Sequence, residues 1–217
     1  MSSERRILTP EERRQRNREE TIANILQAAR EVMREQGVAD LNLQQVAYKV
    51  GMRAPSLYNY FPNRIALYET LFVLGMRMYR QQLEELVQTY GTSWEGLQRI
   101  MESHLAFALG NPELYQLLFE RPVPGFVPSP EGLEESAKLL ETSTRMTQQA
   151  IAEGTFHTSL SPEVAVNLLI AMMHGITAQH LANEPHLPSG SGRFGSLIPV
   201  ILDLLQKAWS EDRSTKS

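Results

Sequence analysis

Five polar side chains close together in the sequence are of the types that hydrogen-bond to nucleic acid: Arg53, Ser56, Tyr58, Asn59 and Tyr60. Arginine pairs with guanine or with a phosphate, asparagine pairs with adenine, and serine accepts either partner. Tyrosine hydroxyls suit phosphate oxygens. If one helix face presents these residues together, they could contact both the base edges and the backbone of a duplex.

The segment 42–61 has the spacing of a helix-turn-helix. That motif needs a small residue where its two helices cross, a glycine at the turn, and a second helix whose outer face is free. Ala47, Gly51 and the run Ala54–Tyr60 supply these features in order. The positions that the spacing turns inward are Leu43, Val46, Val50, Leu57 and Phe61. The positions left outside are Arg53, Ala54, Ser56, Asn59 and Tyr60.

The stretch LNLQQVAYKVGMRAPSLYNYFPNRIALYETLF resembles the DNA-binding domain of the TetR family of transcriptional regulators. The positions that match the family pattern are Ala47, Gly51, Leu57, Tyr58, Phe61, Arg64 and Leu67. The resemblance implies that Tyr58, Tyr60 and Arg64 touch the DNA backbone. Arg64 replaces the more usual lysine, and Arg53 stands where the family often has a serine or threonine cap, which makes Arg53 our candidate for sequence specificity. The full set of expected DNA contacts is Asn42, Gln44, Arg53, Ala54, Pro55, Ser56, Tyr58, Asn59, Tyr60 and Arg64.

Each of these expectations has a simpler alternative. The rings of Tyr58 and Tyr60 could only pack the small domain, Arg64 could be a solvated charge at a helix start, and the motif could be a helical hairpin without a DNA function. The charge distribution favours the DNA-binding interpretation: residues 1–64 carry 11 basic against 8 acidic residues, a net +3, whereas residues 65–217 carry 10 against 17, a net −7. Scatter in surface charge is the alternative.

The first 18 residues form a basic segment with six arginines against three glutamates. These arginines are Arg5, Arg6, Arg13, Arg14, Arg16 and Arg18. As an N-terminal arm they could follow a minor groove or the phosphates, or they could belong to a disordered, solubilising tail.

Helical signals recur along the whole chain, and no stretch alternates as a strand does. We expect a first helix that begins after a Thr9 cap and ends before Gly37, a second from Asn42 to Gly51 with Gln45 as a reciprocal cap, and a third from Ala54 to Tyr60. The remaining predicted helices cover 64–90, 93–109, 112–120, 131–153, 162–183 and 194–210. The predicted fold is all-α: a three-helix helix-turn-helix domain (19–64) after the arm (1–18), joined by a long fourth helix to a larger helical ligand-binding and dimerisation domain (65–217).

The second half of the chain also resembles a regulatory domain of this family, the type with a Trp-His-Gly signature. The resemblance lies in SHLAFALGNPELYQLLFERP and AMMHGIT, where Met173 takes the place of the tryptophan and His174 and Gly175 are retained. The resemblance implies a pocket for a small-molecule effector of unknown identity. The expected lining is Met101, His104, Phe107, Tyr115, Phe119, Met146, Phe156 and His174. The alternative is that these residues form ordinary core.

Other chemistry finds little support in the sequence. Three histidines, His104, His174 and His180, lack the spacing of metal ligands, and there is no cysteine. No phosphate-binding glycine loop, H-E-x-x-H or G-x-S-x-G pattern is present. We therefore expect neither catalysis nor a metal or other cofactor. The N-terminus lacks the apolar core of a signal peptide, and no uninterrupted apolar run has membrane-spanning length, so we expect a cytoplasmic protein without a membrane partner.

Two apolar stripes near the C-terminus suggest how two copies would pair. One contains Val164, Leu168, Met172 and Ile176, and the other contains Leu197, Ile201, Leu204, Leu205 and Trp209. These last two helices could form a four-helix bundle with a second copy, or they could be plain core. We expect a homodimeric repressor that binds a palindromic double-stranded operator and releases it when an effector binds. The alternatives are a transcriptional activator, and a small-molecule-binding or enzymatic helical bundle that retains the headpiece.

Overall fold

The computed structural model describes residues 9–210, and this part of the chain is helical without a strand. The side chain of Ser210 and the residues beyond it are outside the description, as are residues 1–8. The helices are α1 (Pro10–Gln36), α2 (Leu43–Lys49), α3 (Ala54–Leu57), α4 (Arg64–Tyr90), α5 (Trp94–Gly110), α6 (Pro112–Tyr115), α7 (Pro130–Ala152), α8 (Pro162–Asn183), α9 (Gly192–Gly195) and α10 (Ile198–Ser210). A 3₁₀ turn (Val38–Asp40) follows α1, and α6 continues as a π-helical turn (Gln116–Glu120).

Helix α1 begins and ends at its predicted signals. The Thr9 side chain accepts a hydrogen bond from the Glu12 amide at 3.2 Å, and the Glu12 carboxylate accepts one from the Thr9 amide at 2.8 Å, which completes a capping box. At the other end Gly37 has a φ of +97° and donates its amide to the Met33 carbonyl. A side chain rarely adopts such a φ, so glycine there ends the helix sharply.

Helices α2 and α3 form the expected helix-turn-helix, with two differences from the prediction. Asn42 caps α2 through the Gln44 amide at 2.8 Å, but the buried Oε1 of Gln45 has no hydrogen-bond partner within residues 9–210, so the reciprocal cap is wrong. Helix α3 ends at Leu57 instead of Tyr60, because the amides of Asn59 and Tyr60 donate to carbonyls three residues back, at Ser56 and Leu57, as in turns. Gly51, at φ +68°, makes the turn as expected.

One apolar core holds the head to the start of the body. It joins α1, α2 and α3 to the first half of α4 and to α6, with Ile25, Val46, Leu57, Leu67 and Leu114 all buried in it. A second core joins α5, α8 and α10. Because α4 packs on α1 at one end and on α5 and α7 further along, it links the two regions as the sequence predicted.

The C-terminal region departs from the predicted helix 194–210. It divides into α9 and α10 at Ser196 and Leu197, with Pro199 in the first turn of α10, where a missing amide costs least. Helix α8 is the one helix of residues 9–210 with the length and apolar composition of a membrane span, at a mean hydropathy of 1.3 over its best window. It packs on α5, α7 and α9, and 33% of that window is buried.

Candidate nucleic-acid interface and ligand cavity

A polar cleft lies where α2 and α4 begin. Asn63 caps α4, since its Oδ1 accepts from the Ala66 amide at 3.0 Å, and the other amides of this first turn have no partner inside the helix. Tyr58, which is 50% exposed, and Arg64, which is exposed, lie in the cleft. The residues around it are Asp40, Leu41, Asn42, Leu43, Gln44, Tyr58, Pro62, Asn63 and Arg64. Four expected DNA contacts, Asn42, Gln44, Tyr58 and Arg64, are thus brought together.

The remaining expected contacts lie on or next to α3. Arg53, Pro55 and Asn59 are exposed, whereas Ala54, Ser56 and Tyr60 are half-buried. Tyr60 packs against the head core and has the Arg18 guanidinium 5.1 Å above its ring. Its ring therefore helps to pack the domain, as the simpler alternative held, and it also fixes the nearest part of α1 beside α3.

The expected basic arm is divided by the structure. Arg5 and Arg6 lie outside the described residues, whereas Arg13, Arg14, Arg16 and Arg18 are exposed residues of α1. The boundary expected after residue 18 falls inside that helix, because the Thr9 cap starts it. Glu11, Glu12, Glu19 and Glu20 share this part of α1, so the projecting end carries charges of both signs.

A cavity of about 390 Å³ opens between α4, α5, the π turn, α7 and α8. Half of the expected ligand residues line it: Met101, Phe119, Met146 and His174. The other half, His104, Phe107, Tyr115 and Phe156, do not. His104, Phe107 and Tyr115 lie behind the cavity wall around Tyr79, and Phe156 packs between Trp94 and Trp209 in the second core. The helical periodicity identifies these positions as apolar, but it does not show which of them line the cavity and which lie behind its wall.

Sequence reasoning missed the contribution of α4 and of the loop after α6. Phe72, Met76, Tyr79 and Leu83 of α4 line the cavity, and Arg121 lies at its edge. The apolar pattern of α4 is visible in the sequence, but the prediction treats this helix as a link between two regions and not as a cavity wall. Nothing in the sequence distinguishes Arg121 from other loop arginines.

Four rings form a hydrogen-bonded cluster beside the cavity. The Tyr79 hydroxyl lies 2.6 Å from Nδ1 of His104, and the Tyr115 hydroxyl lies 3.1 Å from Nδ1 of His174. The two imidazole centroids are 4.5 Å apart. Burial, with a contribution from nearby His174, lowers the pKa of His104 to about 3, and burial also lowers the pKa of His174. Burial raises the pKa of Tyr79 and, with Glu120, raises the pKa of Tyr115 to about 12. All four rings are therefore neutral at pH 7.

A buried carboxylate connects the body to the head. Glu113 of α6 is 2% exposed and accepts from Nε of Arg30 at 2.7 Å and from Nε and Nη2 of Arg34 at 2.6 and 3.0 Å. Arg30 also donates to Oδ1 of Asn111 at 2.6 Å. Both arginines belong to α1, so α6 is tied to the head by charge-assisted bonds as well as by apolar packing.

The two helices expected to pair with a second copy carry both core and surface residues. Val164, Leu168, Leu197 and Leu204 are exposed, as expected of an interface, and so is Val200, with exposed fractions of 36–59%. Ile176, Leu205 and Trp209 are buried inside this chain, and Met172 and Ile201 are half-buried against the same core. The expected stripes therefore run partly along the inner face of each helix. Among residues 9–210 there is no group of three potential metal ligands.

The cleft, the α3 surface and the cavity fit a helical regulator with a helix-turn-helix head and a larger helical body. Residues 25–71 match the family model described as bacterial regulatory proteins, tetR family, and residues 97–194 match the tetracyclin repressor-like, C-terminal domain. Together they cover more than half of the chain, which belongs to the TetR family.

Individual relatives are more distant. The uncharacterized HTH-type transcriptional regulator YobS from Bacillus subtilis is 28% identical over 93 residues, which is 42% of this chain and only 48% of that protein. This match thus spans about half the length of the relative.

Solved structures of similar fold cover nearly the whole chain. A TetR-family regulator from Pectobacterium atrosepticum matches with a TM-score of 0.67 at 22% identity, over 91% of this chain and 98% of that one. FadR from Bacillus subtilis in complex with stearoyl-CoA matches with a TM-score of 0.67 at 19% identity, over 84% of this chain and 96% of that one. AibR in complex with isovaleryl coenzyme A and operator DNA matches with a TM-score of 0.65 at 18% identity, over 85% of this chain and 97% of that one. At these sequence identities, the similarity to the solved structures shows the fold alone.

Proposed function

We propose that this protein is a homodimeric transcriptional repressor that binds a palindromic operator and releases it when a small molecule occupies the cavity. It acts in the cytoplasm as a regulator and not as an enzyme. The observation that carries the proposal is the course of α4, which begins at Arg64 in the polar cleft and lines the cavity with Phe72, Met76, Tyr79 and Leu83.

The head would contact DNA in two ways. Tyr58 and Arg64 would bind phosphates in the cleft, where the unpaired amides and the positive dipole end of α4 add attraction for an anion. Arg53 and Asn59, exposed on the turn side and the far end of α3, would reach base edges in the major groove. The first group supplies affinity and the second supplies specificity.

The exposed apolar residues of α8 and α10 support a dimer. Val164 and Leu168 of α8, Leu197 just before α10, and Val200 and Leu204 of α10 are left uncovered by residues 9–210. An apolar face of this kind marks an interaction site, and two heads are needed to read two half-sites about one helical turn apart. Pairing these helices with those of a second copy gives a four-helix bundle whose symmetry matches that of a palindrome.

Effector binding would act on the heads through two helices. Filling the cavity displaces α4, which carries Arg64, and the π turn, which continues from α6. Glu113 of α6 holds Arg30 and Arg34 of α1, so a shift of α6 also moves the head. An effector changes DNA binding only if it prefers one separation of the heads, since equal affinity for both would shift nothing. FadR in complex with stearoyl-CoA, and AibR in complex with isovaleryl coenzyme A and operator DNA, support a body that binds a small molecule and a head that binds DNA.

A gel-shift assay with genomic fragments tests the proposal. We expect sequence-specific retardation that weakens steeply between 50 and 200 mM salt, because each neutralised phosphate releases counterions (slope about −0.9 per contact). Arg64→Ala, in the cleft, should weaken retardation. Its matched control is Arg145→Ala, which removes an exposed arginine of α7, far from the cleft in sequence, and which should leave retardation unchanged. Absence of retardation at low salt would refute the proposal and favour a helical bundle that merely retains the headpiece. Transcription from the bound promoter then separates a repressor from an activator.

A further inference from the structure

Arg121 is the one charged side chain among the cavity-lining residues of the described chain. It is exposed at the edge of the cavity and makes no hydrogen bond or ion pair within residues 9–210, in contrast to the nearby Arg77 and Arg80, which are both paired with glutamates. Among the described residues, the cavity therefore has one free cation, which lies at its mouth. An anionic group on a ligand in the cavity could form a charge-assisted pair with this cation.

The backbone of Arg121 is held in an unusual conformation. At φ 51° and ψ 51° it is the one residue other than glycine with a positive φ in the described chain, and it precedes Pro122, a position that disfavours helical conformations. Non-glycine residues in this region are strained, and such strain is found at ligand sites. This conformation directs the chain away from the π turn, whose Leu117, Leu118 and Phe119 line the cavity.

Among the other described residues that line the cavity, none offers a second place for a charge. Ser136, Ser143 and Thr147 each donate their hydroxyl proton to a carbonyl of their own helix, so toward the cavity they present oxygens that only accept. The Tyr79 hydroxyl is shared with His104, and His174 is neutral. The remaining lining is aliphatic, aromatic or methionine, which favours an apolar body of adaptable shape.

We propose that the effector is an anionic amphiphile whose apolar part fills the cavity and whose negative group pairs with Arg121. This inference rests on the proposed function, since it names the effector of the same cavity. At the roughly 30 Å³ that one water occupies, 390 Å³ accommodates at least about a dozen non-hydrogen atoms, the size of a ten-carbon carboxylate. The anionic group is either the carboxylate of a free acid or a phosphate carried by a thioester of coenzyme A.

Titration calorimetry on the full chain, without DNA, tests the inference with three probes: decanoate, decanoyl-CoA and uncharged decan-1-ol, all below the concentration at which they form micelles. We expect the wild-type protein to bind at least one anionic probe about tenfold more tightly than the alcohol, a factor that one charge-assisted pair at a partly exposed site can supply. Tighter binding of decanoate than of decanoyl-CoA identifies the carboxylate, and the reverse order identifies the phosphate.

Two variants of Arg121 separate loss of charge from loss of fold. Arg121→Gly removes the guanidinium and suits a positive φ, so it should fold at least as well as the wild type, and Arg121→Gln keeps a polar side chain without the charge. Both should lower the affinity for the anionic probe about tenfold and leave that for decan-1-ol unchanged. Arg145→Gln, which changes an exposed arginine of α7 that does not line the cavity, should alter neither.

Equal binding of the anionic probes and the alcohol, unchanged selectivity in both Arg121 variants, or no binding of any probe would overturn the inference. The outcome is independent of the gel-shift assay. A protein that binds decanoate but no DNA fails only the proposed function, and one that retards DNA but binds no probe fails only the effector class.

Discussion

Replacing Glu113 by glutamine should destabilise the protein by about 3 kcal/mol. The carboxylate is 1% exposed and accepts three charge-assisted hydrogen bonds, whereas the side chains of Arg30 and Arg34 are 21% and 37% exposed. Breaking a fully buried ion pair by removing one partner costs about 3–5 kcal/mol. Here the remaining arginines keep part of their hydration, which reduces the loss, but the glutamine amide turns one N–H group toward the guanidinium donors.

Urea unfolding and thermal melting measure the effect. For a chain of this size, each kcal/mol lowers the melting temperature by about 2–4 °C, so we expect a decrease of about 6–12 °C. The matched control is Glu120→Gln, the same change at an exposed position of the adjoining turn, which should alter stability by less than about 0.5 kcal/mol. A loss below about 1 kcal/mol for Glu113→Gln would mean that the arginines are as well solvated without the carboxylate as with it. A double-mutant cycle with Arg34→Gln should then show no coupling, whereas our reasoning requires about 1 kcal/mol or more.

Three further expectations concern DNA binding, assembly and pH. Arg53→Ala should relax base preference in competition against operator variants, whereas Arg64→Ala should weaken binding to all sequences alike; equal behaviour of the two would contradict this division. Leu204→Glu should dissociate the dimer in sedimentation experiments, whereas Leu74→Glu, at a somewhat less exposed position of α4, should not. Because burial lowers the pKa of His104 to about 3, the unfolded chain alone takes up that proton below pH 6.5. His104 should therefore lower the free energy of unfolding by about 2 kcal/mol from pH 7 to pH 5. In His104→Gln this contribution should be lost, as measured by urea unfolding.

Features that depend on neighbouring residues were predictable from the sequence. The caps at Thr9 and Asn42 and the stop at Gly37 each act over four residues or fewer, and the helices begin or end there. The wrong prediction at Gln45 also concerns a contact over a few residues. Its side chain is turned into the head, so it cannot reach back to the start of α2. Local signals thus fix helix ends well unless packing takes the capping side chain elsewhere.

The cavity was less predictable because its lining is chosen by long-range packing. His104 and His174 looked equivalent in the sequence, yet only His174 borders the cavity, because α5 turns His104 toward Tyr79. Phe156 follows a turn that carries it to Trp209 and the second core. Arg121 depends on a left-handed backbone that no residue preference announces, since glycine or asparagine would be the usual choice there.

The magnitudes of the proposed coupling are consistent with one another. A hundredfold loss of operator affinity on effector binding requires about 2.8 kcal/mol of coupling, near the upper end of what allosteric proteins commonly show. The apolar core shared by the head, α4 and α6 and the Glu113 ion pairs oppose separation of head and body, and loss of the Glu113 carboxylate alone is expected to cost about 3 kcal/mol. A connection weaker than the coupling would break when the cavity fills, and the head would keep its position on DNA. Because this connection is at least as strong, displacement of α4 and α6 can move the head as a unit, which is what release of an operator requires.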